Sequence, residues 1–244
     1  MDLLVDLGNT RIKWAVQDET GLGLVQRLAH ENRFPAALAA DWAELEPERV
    51  FLASVAAPSV CQGLMEFCRQ RWALQPKIAR PRARALGVTV AYAVPQQLGV
   101  DRWLALIAAH AQKRLPALII DAGTAVTYDL LRQDGQHLGG LILPGLQMMR
   151  QSLLDRTQIA LRDLGTETQC WAKDTASGIA SGTLQALAAL GERLARQLAQ
   201  ATGVAPRLLV TGGDAQRLQS VLQIPSRWEP DLVLQGLALT RDLG

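Results

Sequence analysis

Leu3-Leu4-Val5-Asp6-Leu7-Gly8-Asn9-Thr10-Arg11-Ile12-Lys13-Trp14-Ala15-Val16 and Ala117-Leu118-Ile119-Ile120-Asp121-Ala122-Gly123-Thr124-Ala125-Val126-Thr127-Tyr128 are the two stretches on which the fold turns. Each reads as an apolar run, an Asp-x-Gly-polar turn signal and a second apolar run, the pattern of a β-hairpin. Superposing Asp6 on Asp121 puts Gly8 on Gly123 and Asn9 on Thr124, at an offset of 115 residues in a chain of 244. A pattern that recurs near half the chain length marks a duplicated module.

Outward from the hairpins the same alternation continues. Val50–Ser54 reads as a strand, and a helix over Ser59–Arg71 follows Pro58 with Ser59 as its cap. A second helix spans Arg102–Arg114 and stops before Pro116. In the second half Leu138–Leu143 continues the sheet. A long helix then runs from Ile179 to Ala201 with Leu184, Leu187, Leu190, Leu194 and Leu198 as its stripe. Arg207–Thr211 enters the turn Gly212-Gly213-Asp214, and Leu232–Leu239 closes the chain as a helix. Strands leading helices in each half predict an α/β fold of two related lobes, 1–115 and 116–244, divided near Leu115-Pro116.

Composition narrows the function classes. Hydrophobic residues at 49% and charged residues at 20% describe a folded core, which excludes a disordered chain. Lys and Arg number 25 against 23 Asp and Glu, and a net charge of +2 is too small to steer a polyanion, so no nucleic-acid partner is expected. The apolar stretch His137–Met149 is too short to span a bilayer and contains Gly140 and Pro144. No membrane partner is expected either. Acidic Asp2 and Asp6 flank Leu3–Val5 where a secretion signal would carry a basic head, which points to the cytoplasm. Cys61, Cys68 and Cys170 have no metal-type spacing and His30, His110 and His137 are scattered, so neither disulfides nor structural zinc is expected.

The chemistry resides in the turns. An acid at the end of a buried strand needs a partner, and a glycine beside it lets backbone amides approach an anion closely. Turn amides can cradle phosphate oxygens, with Asn9, Thr10 and Thr124 adding side-chain donors. The carboxylates of Asp6 and Asp121 can hold cations that neutralise the phosphates. A single Asp-x-Gly turn is as readily a structural hairpin in which the Asp caps its own turn. Two of them at matching places predict a nucleotide clamped between two lobes. Lys13 is placed to reach a phosphate or to be a solvated strand lysine. Thr211-Gly212-Gly213-Asp214 suits either an adenosine moiety or a tight strand-to-helix turn. No P-loop or dinucleotide-binding glycine pattern occurs. At Leu98-Gly99-Val100-Asp101-Arg102-Trp103 the acid can cap the following helix. It can equally orient a substrate hydroxyl, with the adjacent guanidinium holding an anion. Tyr92, nine residues before Asp101, is a hydrogen-bonding group for a polar ligand or for backbone.

Taken in order, Asp6-Leu7-Gly8-Asn9-Thr10-Arg11-Ile12-Lys13, Gly99-Val100-Asp101-Arg102, Asp121-Ala122-Gly123-Thr124-Ala125-Val126-Thr127, Gly139-Gly140-Leu141-Ile142-Leu143-Pro144-Gly145 and Thr211-Gly212-Gly213 resemble the motif set of type III pantothenate kinases. The resemblance implies the actin-like ATPase fold, with two ribonuclease-H-like lobes and the active site in the cleft between them. It further implies ATP-dependent phosphorylation of pantothenate, the first step of coenzyme A synthesis. On it, Asp6 to Lys13 form the first phosphate loop, with Asp6 toward Mg²⁺, and Asp101 is the catalytic base. Tyr92, Gly99, Val100, Asp101, Arg102 and Thr175 contact pantothenate, Thr124, Gly212 and Gly213 contact ATP, and Asp121 holds a monovalent cation, K⁺ or NH₄⁺. Asp174 stands where family members often carry Asn before the Thr175 position. The same resemblance implies a homodimer through the second lobe. Apolar surface agrees with that, since Leu146, Met148, Met149, Leu153 and Leu154 follow Pro144 in addition to the leucine stripe. A non-catalytic, nucleotide-binding regulator of the same fold is the alternative reading.

Overall fold

A computed structural model describes residues 1–159, 165–167 and 170–243. In chain order its strands are β1 (Asp2–Leu7), β2 (Arg11–Asp18), β3 (Gly21–Leu22), β4 (Gln26–Ala29), β5 (Arg49–Ser54), β6 (Lys77–Ile78), β7 (Arg84–Ala85), β8 (Val88–Thr89), β9 (Ala117–Ala122), β10 (Ala125–Leu131), β11 (His137–Pro144), β12 (Arg207–Thr211) and β13 (Ser226–Trp228). The helices are α1 (Ala36–Ala43), α2 (Pro58–Trp72), α3 (Val100–Ala111), α4 (Leu146–Arg156), α5 (Thr175–Thr202), α6 (Ala215–Gln219) and α7 (Leu232–Thr240). None among the described residues is long and apolar enough to cross a membrane.

The chain divides into two compact units. One comprises Met1–Leu86, Tyr92–Ala108 and Asp231–Gly244, the other Gly87–Ala91 and Ala109–Pro230. This partition differs from the expected cut after residue 115, because the C-terminal helix α7 belongs to the first unit. Gly236 permits that docking: a Cβ there would lie 2.1 Å from the Leu104 carbonyl oxygen on α3. Ion pairs Arg27–Asp231 at 2.6 Å and Arg241–Asp2 at 3.3 Å tie both ends of α7 to the same unit.

Each unit holds a mixed sheet of the same order. In the first it runs β3-β2-β1-β5-β6, with β4 also pairing β2, and in the second β11-β10-β9-β12-β13. β1 is antiparallel to β2 and parallel to β5, as β9 is antiparallel to β10 and parallel to β12. Every residue of β1 is buried, as a central strand covered on both faces requires. One face, Leu3, Val5 and Leu7, packs with Trp14, Val50, Leu52, Leu38, Trp42, Val60 and Leu64. Trp42 is the aromatic hub of that core, with the Trp14 ring centroid at 5.9 Å and Phe67 at 6.0 Å. In the second unit Leu118, Ile120 and Val126 pack with Leu184, Leu187, Leu194 and Leu198 of α5. Most of the predicted leucine stripe is therefore core and is not left over for a partner. The Tyr128 hydroxyl crosses this core to donate to the Leu187 carbonyl at 2.8 Å.

Helix starts differ from the expected ones for capping reasons. Pro58 occupies the first turn of α2 and Ala57 its cap position, while the Ser59 hydroxyl donates instead to the Asn32 carbonyl at 2.8 Å. Helix α5 begins at Thr175, four residues before the expected start at Ile179, because Asp174 accepts the Ser177 N–H at 2.7 Å.

Candidate active site

The first turn is closed by the Gly8 N–H donating to the Arg11 carbonyl at 3.0 Å. A Cβ at Gly8 would sit 3.1 Å from that same oxygen, so the tight closure favours glycine. Asn9, Thr10 and Arg11 are exposed beyond it, while Asp6 is only 9% exposed at the strand end. Asp6 and Lys13 are opposite partners in the β1–β2 register and so share a sheet face, which puts the lysine beside the acid. Leu7 and Ile12 are fully buried, so their side chains serve the core and only their backbone is available to a ligand.

His30, a residue the sequence pattern did not single out, braces this turn. Its Nε2 donates to the Gly8 carbonyl at 2.8 Å, and its backbone N–H donates to the Thr10 carbonyl at 3.1 Å. Nothing local in the sequence signals this, since the contact spans 22 residues and arises from β4 pairing with β2.

Gly99, Asp101, Arg102 and Tyr92 form one cluster at the start of α3. Asp101 Oδ1 accepts the Arg102 N–H at 2.8 Å; because α3 starts at Val100, Asp101 lies inside the first turn and is not the helix cap that the sequence allowed. A Cβ at Gly99 would fall 2.5 Å from Asp101 Oδ1, so the glycine makes room for the carboxylate. Arg102 is only 6% exposed and its Nη1 donates to the Tyr92 hydroxyl at 3.0 Å, with the guanidinium 5.8 Å from the Tyr92 ring centroid. A cation this buried and aromatic-backed is held in one orientation, which suits recognition of an anionic group. Val100, the first residue of α3, is buried.

In the second unit the turn at Gly123 and Thr124 is one residue shorter than its counterpart, with the Gly123 N–H donating to the Ala125 carbonyl at 3.0 Å. Gly145 presses against it: a Cβ there would lie 2.2 Å from the Gly123 carbonyl oxygen. Asp121 faces Thr211 across the parallel β9–β12 register. Thr211 is 1% exposed, and its Oγ1 has no hydrogen-bond partner. A buried hydroxyl without a partner beside a carboxylate is a set of hard oxygen donors, which fits a monovalent cation. Among the described residues no group of three or more His, Cys, Asp or Glu stands together as a metal site.

Gly212 adopts φ +93°, and a Cβ there would lie 2.4 Å from the Ala122 carbonyl oxygen and 2.5 Å from Asp121 Oδ1. The Asp214 N–H donates to that Ala122 carbonyl at 2.8 Å, which welds the glycine turn to the Asp121 strand. Behind it, Arg217 pairs with Asp214 at 2.6 Å and with Glu167, which also takes Arg150 at 2.9 Å. The Arg217 guanidinium, supported by Arg150, outweighs partial burial and holds the Glu167 carboxyl below the usual carboxylate range. Thr175, the first residue of α5, is exposed and lines a cavity of about 440 Å³ with Met149, Leu153, Gly178, Ile179 and Gly182.

Two units with matching sheet orders, each carrying an acid-glycine turn at the end of its central strand, have the architecture of the actin-like ATPases and sugar kinases. A solved Sinorhizobium meliloti protein provisionally assigned as a 2-dehydro-3-deoxygalactonokinase shares it at 15% identity, with TM-score 0.62 over 100% of this chain and 99% of that one. The family model of type III pantothenate kinase matches residues 2–197. Curated type III pantothenate kinases from Nitrosococcus oceani and Stenotrophomonas maltophilia strain K279a are 36% and 41% identical, covering 98% and 97% of this chain and 92% and 96% of their own. The chain belongs to the type III pantothenate kinase family.

Proposed function

We infer that this protein transfers the γ-phosphoryl group of ATP to the primary hydroxyl of pantothenate, the first step of coenzyme A formation. The observation that carries the reading is the Gly99-Asp101-Arg102-Tyr92 cluster, which supplies an acid with room to turn and a fixed cation beside it. Asp101 accepts the hydroxyl proton as the oxygen attacks in line, and Arg102, oriented by Tyr92, pairs with the pantothenate carboxylate. Gly99 and Val100 belong to the same acceptor cluster, and the family motif assigns Thr175 on α5 to pantothenate as well.

Transfer of this kind proceeds through a loose transition state, so positioning and charge neutralisation supply most of the catalysis. The Asp6–Lys13 turn holds phosphate oxygens with backbone amides, Asn9, Thr10, Arg11 and Lys13, while Thr124, Gly212 and Gly213 hold the rest of the nucleotide. Asp121 and Thr211 take the monovalent cation, and Asp6 is the carboxylate offered to Mg²⁺, directly or through water. That divalent ion, when bound, neutralises phosphate charge. The three cysteines are free, in keeping with a cytoplasmic enzyme.

A homodimer formed through the second unit belongs to the same reading. Exposed Met148 and Leu153 on α4, exposed Leu141 and Ile142 on β11, and Gly178 and Gly182, where added side chains would meet open space, support it. Incubation with MgATP, a potassium salt and pantothenate should yield ADP and 4'-phosphopantothenate in equal amounts. ATP consumption independent of pantothenate would overturn the assignment. Sedimentation equilibrium at submicromolar protein should return twice the chain mass, and an active species of one chain mass would remove the dimer.

A further inference from the structure

The first unit contains a basic cavity of about 630 Å³ at the far end of β1 from the Asp6 turn. Asp2 and Asp6 are four residues apart on one strand, so about 13 Å of strand separates the two ends. Arg49, Lys77, Arg80, Arg82 and Arg241 line the cavity, and among the described lining residues Asp242 is the one carboxylate. Its volume is that of a small-molecule site.

Most buried charge in proteins is already spoken for, and part of this set is. Asp2 takes Arg49 through both carboxylate oxygens, at 2.8 and 2.6 Å, and Arg241 at 3.3 Å. Burial pushes the Asp2 carboxyl upward, but these two guanidiniums outweigh it and hold it below its ordinary range. Arg49 and Arg241 are thus structural. Lys77 and Arg80 are different: both are exposed, Lys77 on β6 and Arg80 just after it, and neither forms an ion pair with a described residue. Phe51 lines the same cavity, its ring faced by Lys77 Nζ at 5.7 Å and by Arg49 Cζ at 5.3 Å from the centroid.

Trp103 supplies an independent sign of a missing ligand. It lines the same cavity, is 1% exposed, and its indole N–H is buried with no acceptor. A buried donor without an acceptor is costly, and an anionic oxygen in the cavity would satisfy it.

We propose that this cavity binds a small phosphorylated anion of at least two negative charges, with Lys77 and Arg80 as its charged clamp, Phe51 as an apolar floor and the Trp103 N–H as a further donor. The concave shape and the net charge of only +2 favour a small molecule over a nucleic acid, which would need a basic stripe. The site is separate from the phosphate turn.

Calorimetric titration of the whole protein with sodium pyrophosphate tests this. Saturable binding is expected to weaken at least tenfold in Lys77→Gln/Arg80→Gln, to persist in Lys77→Arg, and to survive Lys13→Ala, which disables the phosphate turn. The double variant should keep kcat/KM for ATP and pantothenate within about twofold. In proton spectra, the Trp103 indole N–H signal, assigned with Trp103→Phe, should shift on saturation. Absence of saturable binding, binding lost in Lys13→Ala but kept in the double variant, or an unmoved Trp103 signal would overturn the proposal.

Discussion

Gly99 and Asp101 are fitted to each other: the space a Cβ of residue 99 would occupy, 2.5 Å from Asp101 Oδ1, is taken by the carboxylate. The obstacle to a larger residue is the tip of a short side chain and not backbone, so the helix can keep its place while the carboxylate moves. Gly99→Ala should therefore leave thermal stability within about 1 kcal/mol of wild type and lower kcat by about 10- to 100-fold, since small displacements of a reacting group are expensive. Parallel melting curves and initial rates would check it, and unchanged kcat would refute a positional role for this glycine.

Asp101→Asn keeps an acceptor for the Arg102 N–H and removes the proton acceptor. Turnover should fall about 10²- to 10⁴-fold while ATP binding, followed by calorimetry, remains as it was. Near-normal turnover would sink the base assignment.

The Asp121–Thr211 pair bears on cation dependence. Thr211→Val removes the partnerless hydroxyl without changing shape, and the concentration of potassium giving half-maximal activity should rise several-fold, with sodium holding ionic strength constant. Asp121→Ala should abolish potassium stimulation together with most activity. A potassium-stimulated, fully active Asp121→Ala enzyme would place the cation elsewhere.

His30 fixes the Gly8 carbonyl from a neighbouring strand. Loss of one such hydrogen bond is worth about 1 kcal/mol, so His30→Ala should raise KM for ATP about fivefold and leave KM for pantothenate unchanged. Equal changes in both constants would point to general loosening of the unit.

Glu167 carries part of the pH dependence of stability. Its carboxyl is held below the ordinary range in the folded protein, chiefly by Arg217, so its contribution to stability is complete above the unfolded-state value near 4.5. That contribution is lost as pH falls through the lower, folded-state value. Denaturation midpoints of wild type should therefore drop more steeply below about pH 4.5 than those of Glu167→Gln, because the variant has no such proton to take up. Identical acid profiles would show that the Arg150–Glu167–Arg217 network contributes nothing to the glycine turn's stability.

Local patterns carried a good part of this molecule. The Asp-x-Gly hairpins at Gly8 and Gly123, the strand at Arg207–Thr211 and the stripe of α5 are readable because each is set by neighbours within a few residues. Side-chain alternation, turn chemistry and helical spacing act over that range. The Gly99–Arg102 motif likewise placed an acid and a guanidinium side by side in the first turn of α3.

What the chain's linear order by itself determined was therefore the two repeated modules and the residue types at their turns. Tertiary structure alone decided the rest. The return of α7 to the first unit depends on Gly236 meeting the Leu104 carbonyl, a contact across 132 residues of sequence. The brace of His30 on Gly8, the partnerless Thr211 hydroxyl opposite Asp121, and the convergence of Arg49, Lys77, Arg80 and Arg241 around Phe51 arise in the same way. Each depends on which strands become neighbours and which faces they share. Such non-local pairings are selected by burial of the whole core and leave no periodic trace in any single segment.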